Sequence, residues 1–224
     1  MKAMILAAGL GNRLRPLTAT TPKPLLRVGG KPLLQYHLEA LASAGITDIV
    51  INTSWLAEKI EDYFGDGSDF GVIIRWSREV EPLETGGGIA NALPLLGSEP
   101  FIIINGDVWT DFPLHSLNLD NHADAHLVMI ENPGHNLAGD FSIADNLVSY
   151  DVGPKYTFSG ISVFRPHLFA GFKDSCFALR DVLRPAISSR RVTGAVYTGQ
   201  WWDIGTADRL YQLDQQLKSD EPNT

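Results

Sequence analysis

Met4-Ile5-Leu6-Ala7-Ala8-Gly9-Leu10-Gly11-Asn12-Arg13-Leu14-Arg15-Pro16, followed by Thr21-Pro22-Lys23-Pro24, is the stretch that decides the fold. Its apolar start is too short for a buried helix and stops at two glycines and a basic segment. The pattern predicts a strand over residues 3–7 that delivers a loop to the carboxyl edge of a sheet, where α/β proteins bind ligands. Glycines at 9 and 11 let backbone N–H groups approach and cradle a phosphate chain. Arg13, Arg15 and Lys23 add the positive charge that a polyphosphate requires. Two familiar phosphate loops do not fit. Leu14 stands where the dinucleotide fingerprint needs its third glycine, and Gly30-Lys31 is followed by Pro32 rather than Ser or Thr.

Working outward, 224 residues with 44% hydrophobic and 20% charged side chains are enough for one large α/β domain. A net charge of −8 leaves no basic stripe for a nucleic-acid polymer, though a small nucleotide needs only a few local cations. Cys176 is the single cysteine, so no internal disulfide is possible and a reducing cytoplasm is the expected compartment. No apolar run reaches the length of a membrane span, and the first one is too short for a signal segment. The polar tail over 218–224 is expected to fray.

Pro32 is well placed to start a helix, with Leu34, His37, Leu38 and Leu41 on its apolar face until Gly45. Residues 48–52 read as a strand, 55–64 as a helix capped by Ser54, and 72–76 as another strand. Thr85-Gly86-Gly87-Gly88-Ile89 opens a helix to about residue 96. Each helical glycine costs roughly 1 kcal/mol relative to alanine, so something must need close backbone approach there. The uniformly apolar strand 101–104 ends in Asn105-Gly106-Asp107. This alternation implies a parallel, doubly wound sheet. Beyond residue 110, strands at 125–130, 139–143, 147–150, 157–164 and 192–198, with helices at 181–188 and 208–217, read as a mixed extension of the same sheet. His122 and His126 are four apart, but His126 opens a strand, so they read as surface histidines.

Leu-Ala-Ala-Gly-x-Gly-x-Arg-Leu-x-Pro-Leu-Thr, then Pro-Lys-Pro-Leu-Leu and Gly-Lys-Pro-Leu, resembles the signature of the sugar-1-phosphate nucleotidylyltransferases. The resemblance runs from residue 3 to about 210. It implies a single Rossmann-like (GT-A-like) nucleotidyltransferase domain, with a mainly parallel mixed sheet flanked by helices. Residues 1–110 would be the nucleotide-binding half and 111–217 the sugar-binding half. Asn105-Gly106-Asp107 and Trp201-Trp202-Asp203-Ile204-Gly205-Thr206 look like the family's two metal motifs, which makes Asp107 and Asp203 the expected ligands of a Mg2+ cofactor.

By the same resemblance, Ala8, Gly9, Gly11, Asn12 and Arg13 would hold the nucleotide's phosphates, and Lys23 would lie between the reacting phosphates. Arg13, Lys23 and Asp107 form the expected catalytic set. Glu79-Val80-Glu81-Pro82-Leu83-Glu84-Thr85-Gly86 is similar to the base-recognition loop, with Glu84 in place of a glycine. Glu79 or Glu81 would accept the N3–H of a pyrimidine, and Gly86 would leave room for the base. Asn105, Asp140, Lys155, Ser159 and Gly160 are the sugar-side candidates.

The implied partners are a nucleoside triphosphate, with UTP favoured, and a sugar 1-phosphate. Segments 83–89 and 157–161 point to N-acetylmuramate 1-phosphate and cell-wall recycling. Glucose or mannose 1-phosphate with UTP, dTTP or GTP is the alternative. The chain stops where longer relatives continue into a β-helix acyltransferase, so that second activity is not expected. A glycosyltransferase would need an Asp-x-Asp that Asp107-Val108-Trp109 does not supply, and a non-catalytic nucleotide sensor would have lost one of the charged residues.

Overall fold

A computed structural model describes residues 1–151, 153–172 and 176–219. Five strands of the first half are Lys2–Leu6 (β1), Arg27–Val28 (β2), Lys31–Pro32 (β3), Asp48–Thr53 (β4) and Ile73–Arg78 (β5). Phe101–Asn105 (β6) and Val108–Thr110 (β7) follow. The second half adds Ala125–Ile130 (β8), Phe141–Ala144 (β9), Leu147–Ser149 (β10), Lys155–Phe164 (β11), Val192–Tyr197 (β12) and Trp201–Asp203 (β13). The α-helices are Leu33–Ser43 (α1), Ala57–Phe64 (α2), Glu84–Leu96 (α3), Leu179–Ser188 (α4) and Ala207–Ser219 (α5).

Nine strands form one sheet in the order β5-β4-β1-β6-β11-β8-β12-β10-β9. The first four run parallel, β11 is antiparallel to both β6 and β8, and β12 returns parallel to β8. Alternation along each strand sorts side chains between two cores. Met4, Val50 and Ile103 face α3 and α4, packing with Ile89, Ala92, Leu96 and Leu183. Ala3, Ile5, Ile49, Ile51, Ile102 and Ile104 face the other way, against Leu34, Leu38 and Leu41 of α1 and Ile60 and Phe64 of α2. This is a Rossmann-like α/β fold whose parallel character lies in the first half.

Element limits differ from expectation where tertiary contacts intervene. Pro32 pairs with Arg27 in the β2–β3 hairpin, so α1 begins at Leu33. Ser54 does not cap α2. The Trp55 indole donates to the Thr18 carbonyl (3.2 Å), Leu56 is left-handed (φ 52°), and the helix starts at Ala57. Gly139 turns (φ 63°) and strand β9 begins only at Phe141. Of the tail expected to fray, Lys218 and Ser219 belong to α5, and 220–224 lie outside the described residues. Among the described residues no helix is long and apolar enough to cross a membrane.

The long loop after β1 is held by its own small core. Leu14, Leu26, Val28 and Leu33 pack with Ile204 and Leu213, so the chain's last helix closes over the loop that follows its first strand. Thr18 Oγ1 donates to the Gly11 carbonyl (2.7 Å), and Lys59 Nζ reaches the Thr20 carbonyl (2.7 Å).

Candidate active site

The carboxyl ends of β5, β4, β1 and β6 lie side by side, spaced about 4.8 Å from strand to strand. Above them opens a cleft of about 370 Å³. Ala7, Ala8, Gly9, Gly11, Asn12 and Arg13 line it from β1, Asn52 from β4, Glu79 from β5, and Asn105, Gly106 and Asp107 from β6. Lys23, Glu84, Thr85 and Gly205 complete the wall. Gly106 is required by contact: a Cβ there would meet the Leu6 carbonyl oxygen at 2.7 Å, against the hydrogen bond that the Gly106 N–H makes to it.

At the β1/β6 end, Lys23 Nζ lies 2.7 Å from Asp107 Oδ2, with the lysine side chain only 11% exposed. Asp203 reaches the same end by a different route. Strand β13 pairs antiparallel with β7, Asp203 opposite Val108, and the Ile204 N–H donates to the Asp107 carbonyl (2.8 Å). Asp203 Oδ2 is bonded by Arg209 Nη1 at 2.7 Å and lies 3.4 Å from His135 Nε2. His135 stacks on Trp201, whose indole N–H donates to the Ser159 carbonyl (2.9 Å). Behind β7, His37 of α1 is buried, and desolvation lowers its pKa to about 4 despite the nearby Asp107 carboxylate. It is a neutral imidazole.

At the β4/β5 end a second, buried polar network forms. Asn52 Oδ1 accepts from the Ala7 N–H (2.8 Å), Asn52 Nδ2 donates to Glu79 Oε1 (2.7 Å), and Glu79 Oε2 accepts from the Leu83 N–H (3.0 Å). Each group has a partner, as burial demands. The three glycines of α3 find part of their reason here. A Cβ on Gly88 would lie 2.6 Å from Glu79 Oε1, and one on Gly86 would lie 2.5 Å from the Phe177 ring. Glu84 starts the helix in the left-handed region (φ 59°), a conformation that favours glycine, with its residue on the cleft wall.

The expected residues are thus brought together unevenly. Ala8, Gly9, Gly11, Asn12, Arg13, Lys23, Asp107, Glu79 and Asn105 line the cleft, and Asp203 flanks it beside Asp107. Glu81 is exposed outside the lining, and Gly86 is buried where a Cβ would meet the Phe177 ring. On the sugar side, Asp140 spends its two oxygens on the Phe158 N–H (2.8 Å) and Asn136 Nδ2 (3.2 Å). Ser159 is buried with its hydroxyl accepting from the Ile161 N–H (3.1 Å). Gly160 (φ 82°) makes room for the Asn105 side chain, and Lys155 is exposed at the start of β11. Of these, only Gly160 touches a residue of the cleft wall, Asn105.

Sequence reasoning missed Asn52, His135 and Arg209. Asn52 carried a signal, a lone amide at the end of an apolar strand; His135 and Arg209 had none beyond their charge in a loop and a helix start.

The nucleotidyl transferase family's sequence model matches residues 2–141. The N-acetylmuramate alpha-1-phosphate uridylyltransferase of Neisseria meningitidis is 52% identical over 94% of this chain and 95% of its own length. The enzyme of that name from Caulobacter vibrioides is 32% identical, covering 96% of both. A solved Bacillus anthracis structure, described as a glucose-1-phosphate thymidylyltransferase, superposes with a TM-score of 0.86 at 22% identity, over 100% of this chain and 98% of that one, a likeness of fold. By its match to the family model and by these relatives, the chain, with its glycine-rich loop after β1, belongs to the nucleotidyl transferase family, as a sugar-1-phosphate nucleotidylyltransferase.

Proposed function

We propose that the chain transfers UMP from UTP to N-acetyl-α-D-muramate 1-phosphate, releasing pyrophosphate, as a cytoplasmic enzyme of peptidoglycan recycling. The observation that carries the choice of substrates is the full-length similarity to the Neisseria enzyme. The cleft is consistent with it: a polar pair for the base at the β4/β5 end, and cations with aspartates at the β1/β6 end.

An oxygen of the sugar phosphate attacks the α-phosphorus. A new P–O bond forms, the bond to the bridging oxygen breaks, and that oxygen leaves with pyrophosphate. The attacking oxygen is already anionic, so no general base is needed and catalysis is positioning plus charge neutralisation. The loop amides from Ala8 to Arg13 hold the β- and γ-phosphates together with the Arg13 guanidinium. Lys23 lies where charge develops between α-phosphate and acceptor. Glu79, fixed by Asn52 and Leu83, presents its remaining lone pairs toward the uracil N3–H.

Asp107 and Asp203 fit a magnesium ion. They are two carboxylates brought together by the β7–β13 pairing, Asp107 in the turn just before β7 and Asp203 at the end of β13, each bonded by a cation through Oδ2 and each carrying a second oxygen. One or two carboxylates with phosphates and waters is a usual magnesium shell. When bound there, the ion would neutralise phosphate oxygens on both reacting groups. The lactyl carboxylate of the acceptor needs a cation or donors, and Lys155 is the exposed cation offered on the sugar side. The test scores pyrophosphate release from UTP, dTTP and GTP with the 1-phosphates of N-acetylmuramate, N-acetylglucosamine, glucose and mannose. N-acetylmuramate with UTP should give the highest kcat/KM; a better pair would reassign the substrates.

A further inference from the structure

We propose that Arg209 is a second phosphate-binding guanidinium, facing Arg13 across Gly205. This rests on the nucleotidylyl-transfer reading above. A Cβ built on Gly205 would lie 2.4 Å from Arg209 Nη2 and 3.1 Å from Arg13 Nη1, so two cations from opposite ends of the chain converge on one point. That point is on the cleft wall, because Gly205 and Arg13 both line the cavity. Among the described residues Arg13 has no ion-pair partner while Arg209 is paired with Asp203, so the Arg13 charge is the one left for a ligand to neutralise.

Arg209 divides its fork. Nη1 holds Asp203 Oδ2 (2.7 Å) and the His135 ring (3.1 Å), while Nη2 is the nitrogen that approaches Gly205. A guanidinium presents several N–H donors in one plane, so one edge can fix a carboxylate while the other meets a phosphate oxygen. Gly205 is not in the left-handed region, so its missing side chain answers to space and not to backbone conformation. The space is filled by two guanidinium nitrogens. Asp203 answers one edge of Arg209, and a substrate phosphate is the anion this cleft admits for the edge that Arg209 turns toward Arg13. The triphosphate's outer phosphates are the favoured source, since Arg13 belongs to the phosphate loop; the phosphate of the sugar is the other.

The test is calorimetric binding of UTP, pyrophosphate and the sugar 1-phosphate, with EDTA present so that no effect travels through a metal. Wild type is compared with Arg209→Gln, Arg209→Lys, Arg13→Gln and the double Gln variant, with thermal midpoints as a folding control. Arg209→Gln should weaken UTP and pyrophosphate binding about tenfold or more, and Arg209→Lys should recover part of it. The double variant should lose less than the product of the single losses, because both side chains act on one group. A loss confined to the sugar 1-phosphate keeps the phosphate assignment and names the sugar's phosphate as its source. Gly205→Ala, which crowds both guanidiniums without removing charge, should weaken the same ligand. Affinities within twofold of wild type for all three ligands would overturn the proposal and leave Arg209 as a support for Asp203. If wild type bound no UTP either in EDTA or with magnesium supplied, the nucleotide reading would fail instead.

Discussion

The two halves of the sheet serve the cleft in different ways. In β5-β4-β1-β6 the strands are parallel, so every carboxyl end falls on one edge, and the residue that leaves each strand is already at the ligand. In β11-β8-β12-β10-β9 the directions are mixed, and no common edge collects side chains. That half reaches the site through a loop and a ribbon. The loop over 131–140 is pinned by Asn132, Asn136, Thr157 and Asp140, whose hydrogen bonds to one another and to the β11 backbone leave His135 at its tip. The ribbon is β7–β13, which brings Asp203 beside Asp107. With the nucleotide proposed on the parallel half and the acceptor on the mixed half, the nucleotide side is built by topology and the acceptor side by hydrogen bonds.

If that contrast holds, charge removal at the junction should cost most. Asp107→Asn or Asp203→Asn is expected to lower kcat by about two to three orders of magnitude with little change in thermal midpoint. Steady-state kinetics in magnesium beside a melting curve checks it, and full activity of both variants would break the assignment. Lys23→Ala should fall in the same direction, with kcat dropping more than the UTP KM rises.

Glu79→Gln tests the nucleotide side. Both Glu79 oxygens accept hydrogen bonds, and an amide offers only one acceptor, so a buried donor loses its partner. A destabilisation of about 1–3 kcal/mol is expected, with a higher KM for UTP. An unchanged melting temperature would argue against the clamp. Asp140→Ala tests the acceptor side. The loop loses two of its ties, so the KM for the sugar phosphate should rise several-fold while that for UTP stays within about twofold. Equal changes in both would erase the distinction between halves.

The smallest effect on turnover is expected from a pH dependence that acts on stability. The folded pKa of His37 lies near 4 and its unfolded value near 6.5, so between those limits the unfolded chain binds more protons. Stability is fully present above about pH 6.5 and is lost as pH falls toward 4, by about 3 kcal/mol in total. Denaturant midpoints of wild type and His37→Gln across this window should show the slope in the first and a flatter line in the second.

Much of the nucleotide side was legible because its signals are local. Gly9, Gly11, Arg13 and Lys23 sit within one loop, and Asn105-Gly106-Asp107 directly follows an apolar strand. The acceptor side was not, for the opposite reason. Nothing near Asp140 or Ser159 in sequence shows that their oxygens are already engaged by Phe158 and Ile161 amides. Small size at Gly86 could be read in sequence, but not that the neighbour barring a side chain there is Phe177, far along the chain. Arg209 gains its meaning only from Gly205 and Arg13, which the fold alone juxtaposes.

The packing of Leu14, Leu26 and Val28 against Ile204 and Leu213 has a bearing on how the molecule acquires its activity. Contacts between chain ends close late, because the loop entropy they demand is large and is offset only once the intervening sheet exists. The loop that follows β1 is therefore expected to order when α5 packs on it, with the β7–β13 pairing that sets Asp203 beside Asp107 forming at the same stage. A folding intermediate with its sheet complete but α5 undocked would be native-like in secondary structure and catalytically silent. Recovery of activity after dilution from denaturant should lag behind recovery of far-UV ellipticity, with the delay set by docking of residues 201–219.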